Sequence, residues 1–379
     1  MENFSIHDFV HSTGLFNLSP GNGVMIFIGM LLIYVAIAKK WEPYELLPIG
    51  AGVILGNLPL TRLTVFTDGI QTSGILGIFL NYGVYVWNLF PPLIFLGLGA
   101  MTEFGPLIAN PRMFLLGAAA QIGIFCAFWG ACFLGFNIAE AMAIGIIGGA
   151  DGPTTIYTGA MAAPHLLSIT AVTAYTYMAM VALIQPPIMR ALTTEKERKI
   201  RMKQLRPVSR VEKILFAVFA MIIILLLVPL SAPLIGMFML GNLFKESGVV
   251  ERLSDSAQNE LMNVVVIFLM LVIGSSMSAE VIIQLKALYI LTLGLIAFAA
   301  GTAGGILLAK FINLFCKEKI NPLVGSAGVS AVPMAARISQ KLGQEADPKN
   351  FLLMHALGAN VAGVIGSAVV AGIFLTILK

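Results

Sequence analysis

Long apolar runs, cut by short polar or glycine-rich breaks, set the rhythm of this chain. A run of about 20 apolar residues crosses the hydrocarbon of a bilayer as a helix. Residues 24–38 form the core of a first span, closed by Lys39 and Lys40. Residues 44–60 make a weaker one, interrupted by Pro48 and carrying Glu45. Residues 1–20 read as a polar-ended arm at the interface, and 66–86, with Thr67-Asp68-Gly69, as an interfacial helix. Further spans are expected at 89–105, 113–136, 168–189, 214–230, 233–244, 263–277, 288–315 and 351–378.

Two apolar stretches do not read as continuous helix. In 139–163 the run Gly148-Gly149-Ala150-Asp151-Gly152-Pro153-Thr154-Thr155 places a carboxylate between glycines and a proline. Glycine costs backbone entropy in a helix, and proline lacks an N–H and clashes with the preceding turn. Helix is therefore expected up to about Gly148, then an opening, then a restart near Pro153, a residue well suited to a first helical position. The second stretch, 321–341, holds Asn321, Pro322, Gly325, Ser326, Gly328, Ser330, Pro333 and Arg337.

The chain also repeats itself. Gly97 and Glu103 recur as Gly274 and Glu280 at a shift of 177, each pair followed by a long span, a broken stretch and a final span. Interrupted segments at matching places in two halves point to the midplane site of a transporter. If 139–163 and 321–341 are re-entrant hairpins, each half crosses an odd number of times and the halves lie inverted, tip facing tip. The expectation is an all-α polytopic membrane protein of about nine to ten crossings. Its segments are 1–86 as scaffold, 87–192 as first repeat, 193–213 as basic linker, 214–262 as connecting spans and 263–379 as second repeat.

Composition agrees. The chain is 58% hydrophobic and 11% charged, with a mean hydropathy of +0.91. Eight Lys and Arg fall within 193–213. With that linker in the cytoplasm, 20 of the 23 Lys and Arg are cytoplasmic, leaving Arg62, Lys286 and Lys379 outside, as the positive-inside rule requires. The basic balance therefore needs no nucleic acid. Cys126, Cys132 and Cys316 lie in apolar spans and read as buried thiols, not a disulfide framework. No cleavable signal peptide is expected, since the start carries Glu2 and Asp8 and no basic region. Four histidines without metal-type spacing give no transition-metal site, and no P-loop lysine motif offers ATP use.

Asp151 is the anchor of the chemistry. A carboxylate at mid-bilayer costs roughly 2.5–3.5 kcal/mol and needs an offset, which makes it a functional candidate. The bland alternative is a helix cap. Backbone carbonyls, Thr154 and Thr155 can complete an oxygen set for a hard cation; a carboxylate serves sodium or a proton equally. Gly325 and Gly328 favour close helix packing, while Asn321 and Ser330 offer neutral oxygens. Arg337 can snorkel to the interface or grip a carboxylate. Tyr177 suits either a proton relay or a core hydrogen bond, and Asn360 either a cation ligand or a bond between helices.

Gly148 through Thr154, with Tyr177, Gln185-Pro186-Pro187, the stretch from Asn321 to Arg337, and Asn360, closely resembles the beta subunits of sodium-translocating biotin-dependent decarboxylases. The resemblance runs from about Leu89 to the C-terminus; the first 85 residues match in general character. It implies a subunit that takes carboxybiotin from a carrier protein, decarboxylates it and moves Na+ outward. The residues it implies are Asp151 for sodium and proton coupling, with Tyr177, Asn321, Gly325, Ser330, Arg337 and Asn360. Of these, Asp151, Asn321, Gly325, Ser330 and Asn360 would hold Na+, and Arg337 with Tyr177 would meet carboxybiotin. The implied partners are a carboxyltransferase alpha subunit, a biotin carrier protein, a small gamma or delta membrane subunit and further copies of the chain. The implied location is a bacterial or archaeal cytoplasmic membrane. The inverted repeats suggest elevator-like motion, and the compact length suits a CoA-ester pump. The competing class is a stand-alone sodium-coupled carboxylate transporter.

Overall fold

A computed structural model describes residue 9 and residues 11–67, 72–282 and 284–379. Most of the expected interfacial arm's polar start, and Asp68-Gly69, lie outside the described residues. Those described are helical or irregular, without a strand. In order, the principal helices are α1 (Pro20–Tyr34), α2 (Pro43–Asn57), α3 (Phe90–Met101), α4 (Arg112–Ala120), α5 (Ile122–Phe133), α6 (Ile138–Gly145), α7 (Gly152–Ala162), α8 (Leu167–Ala179) and α9 (Val181–Leu192). After the linker come α10 (Arg210–Leu227), α11 (Ala232–Ser247), α12 (Met262–Ser275), α13 (Leu285–Phe315), α14 (Pro322–Gly325), α15 (Met334–Ala346) and α16 (Leu353–Ile377).

Short polar motifs set the helix starts. Ser19 with Asn22, Asn137 with Glu140, Thr194 with Glu197 and Ser209 with Glu212 each form a reciprocal capping box. Such boxes satisfy two of the backbone donors left open at a helix N-terminus. Ser168–Met189, expected as one span, bends by 64° between Pro164–Ala179 and Val181–Leu192. Residues 263–277, expected as a separate span, extend a helix begun at Glu251. The polar run from Glu251 to Leu261 contains no glycine or proline to stop it.

Among the described residues, five helices are long and apolar enough to cross a membrane, and seven if each of two bent pairs is one span. α2 and α11, at 15 and 16 residues, fall short of that length, and α10 carries Arg210, Glu212 and Lys213. The protein is thus an all-helical, multi-pass membrane protein.

The chain forms two compact units, Met1–Phe90 with Asn263–Leu288, and Pro91–Met262 with Tyr289–Lys379. Segment 263–288 therefore groups with the N-terminal spans. In the first unit, a Cβ on Gly29 would lie 2.8 Å from the Gly50 carbonyl oxygen, and one on Gly274 would lie 2.1 Å from that of Ile49. Small residues at such contacts let helix backbones approach where lipid offers no hydrophobic driving force. The second unit is larger. Phe104 anchors one side of its core, with ring centroids 4.9 Å from Phe216 and 5.7 Å from Phe238. α16 runs through this unit and is buried along most of its length.

Candidate functional site: two helix breaks around a buried carboxylate

The chain opens where glycine and proline predict. α6 tightens into a 3-10 turn over Ile146–Gly149, and Ala150 stops it with φ +54° and ψ +44°. A left-handed alanine costs about 1–3 kcal/mol and persists only where its surroundings enforce it. Asp151 then runs extended and caps α7. Its Oδ1 accepts from the Thr154 N–H at 3.1 Å, and its carbonyl accepts from Thr155 Oγ1 at 2.7 Å. The carboxylate thus faces the positive end of a helix.

The second break is built differently. α14 lasts one turn, a 3-10 turn follows over Ser326–Gly328, and Val329 is extended. Helix resumes as α15 and continues past the expected limit at 341 to Ala346. The two breaks meet through the backbone, with the Ser330 N–H donating to the Gly149 carbonyl at 3.0 Å. Each is also pressed against a long helix at a glycine pair. A Cβ on Gly148 would lie 2.4 Å from the Gly123 carbonyl oxygen, and one on Gly325 would lie 2.1 Å from that of Gly305. Gly148 and Gly325 are themselves 177 residues apart.

Gly325→Ala must therefore push two backbones apart. The variant is expected to lose about 1–3 kcal/mol of stability, the usual cost of overpacking, read as a lower melting temperature in detergent. An unchanged melting temperature would remove the packing role of Gly325.

α16 supplies the third wall. Ser367 Oγ donates to Asp151 Oδ2 at 2.7 Å, and Ser330 Oγ lies 3.2 Å from Ser367 Oγ. One turn and more away, the Asn360 amide donates to the Ala327 and Val329 carbonyls at 3.0 and 2.6 Å. From the other side, Gln185 Nε2 donates to the Ser326 carbonyl at 3.0 Å and reaches Thr302 Oγ1 at 3.3 Å. Asn360 spends both amide hydrogens on the second break, and Gln185 ties the same break to α13. Their oxygens, Asn360 Oδ1 and Gln185 Oε1, are buried without a hydrogen-bond partner among the described residues.

Asp151 is only 4% exposed, and no Lys, Arg or His stands beside it among the described residues. Two neutral donors do not balance a buried anion, which calls for a cation or a proton. Carboxylate, hydroxyl, amide and carbonyl oxygens together form the donor set of a hard cation.

The breaks thus bring Asp151, Ser367 and Ser330 together, and Asn360 is bonded to the backbone of the second break at the residue before Ser330. The other expected residues lie elsewhere. Asn321 caps α14 through the Leu323 N–H at 3.0 Å and donates to linker carbonyls; none of these bonds reaches Asp151. The half-buried Tyr177 donates its hydroxyl to the Leu291 carbonyl. Arg337 is exposed on the first turn of α15. Ser367 was not legible as a site residue, because one serine in an apolar helix reads as packing. Tyr175 was missed too, and its ring crosses Gly152 so closely that a Cβ there would lie 2.2 Å from Cζ.

Comparison with known proteins identifies the family. Residues 21–378 match the model of a family described as Na+-transporting oxaloacetate decarboxylase beta subunit. The chain is 54% identical over 381 residues to the methylmalonyl-CoA decarboxylase subunit beta of Veillonella parvula, covering 100% of both chains. It is 55% identical over 370 residues to the glutaconyl-CoA decarboxylase subunit beta of Acidaminococcus fermentans, covering 97% of this chain and 96% of that one. With the oxaloacetate decarboxylase beta chain of Klebsiella pneumoniae it shares 50% identity over 427 residues, covering 98% of each. A match of this extent settles membership: the chain belongs to the family of Na+-transporting decarboxylase beta subunits.

Proposed function

We propose that this chain is the membrane subunit of a sodium pump that decarboxylates carboxybiotin, brought by a carrier protein, and drives Na+ outward. The observation that carries the reading is Asp151, a buried carboxylate without a cationic neighbour among the described residues, held where two helix breaks touch. Na+ enters from the cytoplasm and is held by Asp151 with the oxygens of Ser330 and Asn360. Of the remaining sodium candidates, Gly325 serves by close packing and Asn321 at the base of the break.

Decarboxylation breaks the bond between the ureido nitrogen and the carboxyl carbon. The electron pair stays on nitrogen, which takes up a proton as CO2 leaves. Ser330, Ser367 and Asp151 form an unbroken line of oxygens for that proton. Na+ displaces the proton of Asp151, and the same proton is the one consumed. Arg337, exposed, grips the carboxylate of carboxybiotin in the bidentate manner of a guanidinium. Tyr177 can give a proton only after releasing the Leu291 carbonyl. Expelling one charge against 100 mV takes about 2.3 kcal/mol, which decarboxylation supplies.

The proposal extends to an inverted-repeat, elevator-like architecture of nine to ten crossings in a bacterial or archaeal cytoplasmic membrane. It includes an alpha carboxyltransferase, a biotin carrier, a small membrane subunit and further copies of the chain as partners. The alignment of 381 positions with the Veillonella subunit, against 427 with the Klebsiella chain, favours a CoA ester as the acid consumed.

The test is purification with the natural partners and reconstitution into vesicles. Decarboxylation should be stimulated by Na+ and accompanied by Na+ uptake into inverted vesicles, and avidin should stop both. Avidin-insensitive carboxylate flux through this chain alone would replace the pump with a sodium-coupled carrier.

A further inference from the structure

Two asparagines distant in sequence hold the same pair of peptide carbonyls. Asn321 Nδ2 donates to the carbonyls of Arg198 and Ile200, each at 2.8 Å. Asn350 Nδ2 donates to the same two at 2.9 and 3.2 Å. Two amide groups offer four hydrogens and two carbonyls offer four lone pairs, so donors and acceptors match one for one. Both asparagine side chains are fully buried. Each carbonyl therefore keeps one bond if either asparagine is deleted and loses both only if the two are deleted together.

The two residues mark the two feet of the second break. Asn321 caps its first turn, and Asn350 closes the turn between α15 and α16. That turn is itself locked, since Gln340 donates to the Asn350 carbonyl at 3.1 Å and accepts from the Leu352 and Leu353 N–H groups at 2.6 and 2.7 Å. Ion pairs flank the contact, with Arg201 gripping Asp347 at 2.6 and 3.1 Å and Lys310 reaching Glu197 at 3.1 Å. Exposed pairs of this kind add little by themselves. The buried amides are the strong part.

We propose that Asn350 and Asn321 are positioning residues that clamp the linker at 198–200 across the base of the second break. The clamp sets the spacing between the leg carrying Ser330 and the helix carrying Asn360 and Ser367. Neither asparagine touches the cation, and the basic linker is part of the pump's frame. The kinetic consequence rests on the pump reading above; the contact itself does not.

The test uses the complex purified with its partners and the variants Asn350→Ala, Asn321→Ala and the double replacement. Each single variant should lower the maximal Na+-dependent rate by about tenfold, as for one or two lost buried bonds, with half-saturating Na+ within about twofold of the parent. The double variant should fall further than either single, because one asparagine left in place still holds both carbonyls. Trypsin should cut the linker after Arg198, Lys199 or Arg201 faster in every variant. This readout needs no activity, so it separates failure of the clamp from failure of the pump. Asn350→Gln keeps a donating amide and should recover part of the rate and protection, which covers poor folding of the alanine variants. A large rise in half-saturating Na+ in Asn321→Ala, with the linker still resistant to trypsin, would overturn the proposal and make Asn321 a ligand.

Discussion

Asp151→Asn is expected to cut Na+-stimulated decarboxylation by on the order of a hundredfold or more, while the protein still folds and assembles. The argument weighs two changes of very different size. Asparagine has nearly the same shape, so its side-chain oxygen can still accept from the Thr154 N–H that now binds Asp151 at 3.1 Å. An amide N-cap is about as good as a carboxylate, which keeps the stability change small. What disappears is the negative charge. In a dry site a charge interaction of several kcal/mol is at stake, and each 1.4 kcal/mol is about tenfold in an equilibrium constant. Neither Na+ nor a proton would then have a reason to occupy the gap. The check is rate against Na+ concentration, with melting temperature as the control. A variant that keeps both its rate and its Na+ response would end the pump reading.

The opening around Asp151 was legible because its cause is local. A run of Gly148, Gly149, Gly152 and Pro153 cannot continue an α-helix whatever packs around it, and the structure breaks within two residues of the expected place. The basic linker was legible for the same reason, since eight cations do not enter lipid. What surrounds the carboxylate depends on facing, which the sequence does not specify. Tyr175 and Tyr177 lie about 200° apart around one helix, so only one of them can face a given neighbour. Tyr175 covers Gly152, while Tyr177 turns to Leu291 and Gly294. Ser367 lies more than 200 residues from Asp151 in sequence, and nothing near it marks it out. Asn321 carried the opposite error: its residue type suits a ligand, but the folded linker claims both of its hydrogens. The number of crossings stayed coarse because helices of 15 or 16 residues, such as α2 and α11, can span, tilt or stop short.

Asn360→Ala separates ligation from packing. Its amide ties down the Ala327 and Val329 carbonyls, and its oxygen has no hydrogen-bond partner among the described residues. Leaving such an oxygen buried and unsatisfied costs about 1–3 kcal/mol, which a bound cation would offset. Bound Na+ would supply the missing partner. Removing that oxygen should raise half-saturating Na+ by about tenfold or more, the effect of losing roughly 1.4 kcal/mol of binding. The maximal rate should largely return at high Na+, which no packing defect would allow. Thermal unfolding gives an independent reading, because a ligand stabilises the state it binds. At Na+ near 100 times the dissociation constant the parent should gain about 2.7 kcal/mol, and a variant with tenfold weaker binding about 1.4 kcal/mol at the same concentration. If Na+ raised both melting temperatures equally, Asn360 would be only a brace for the second break, and the cation would have to be held by Asp151 and the hydroxyls beside it.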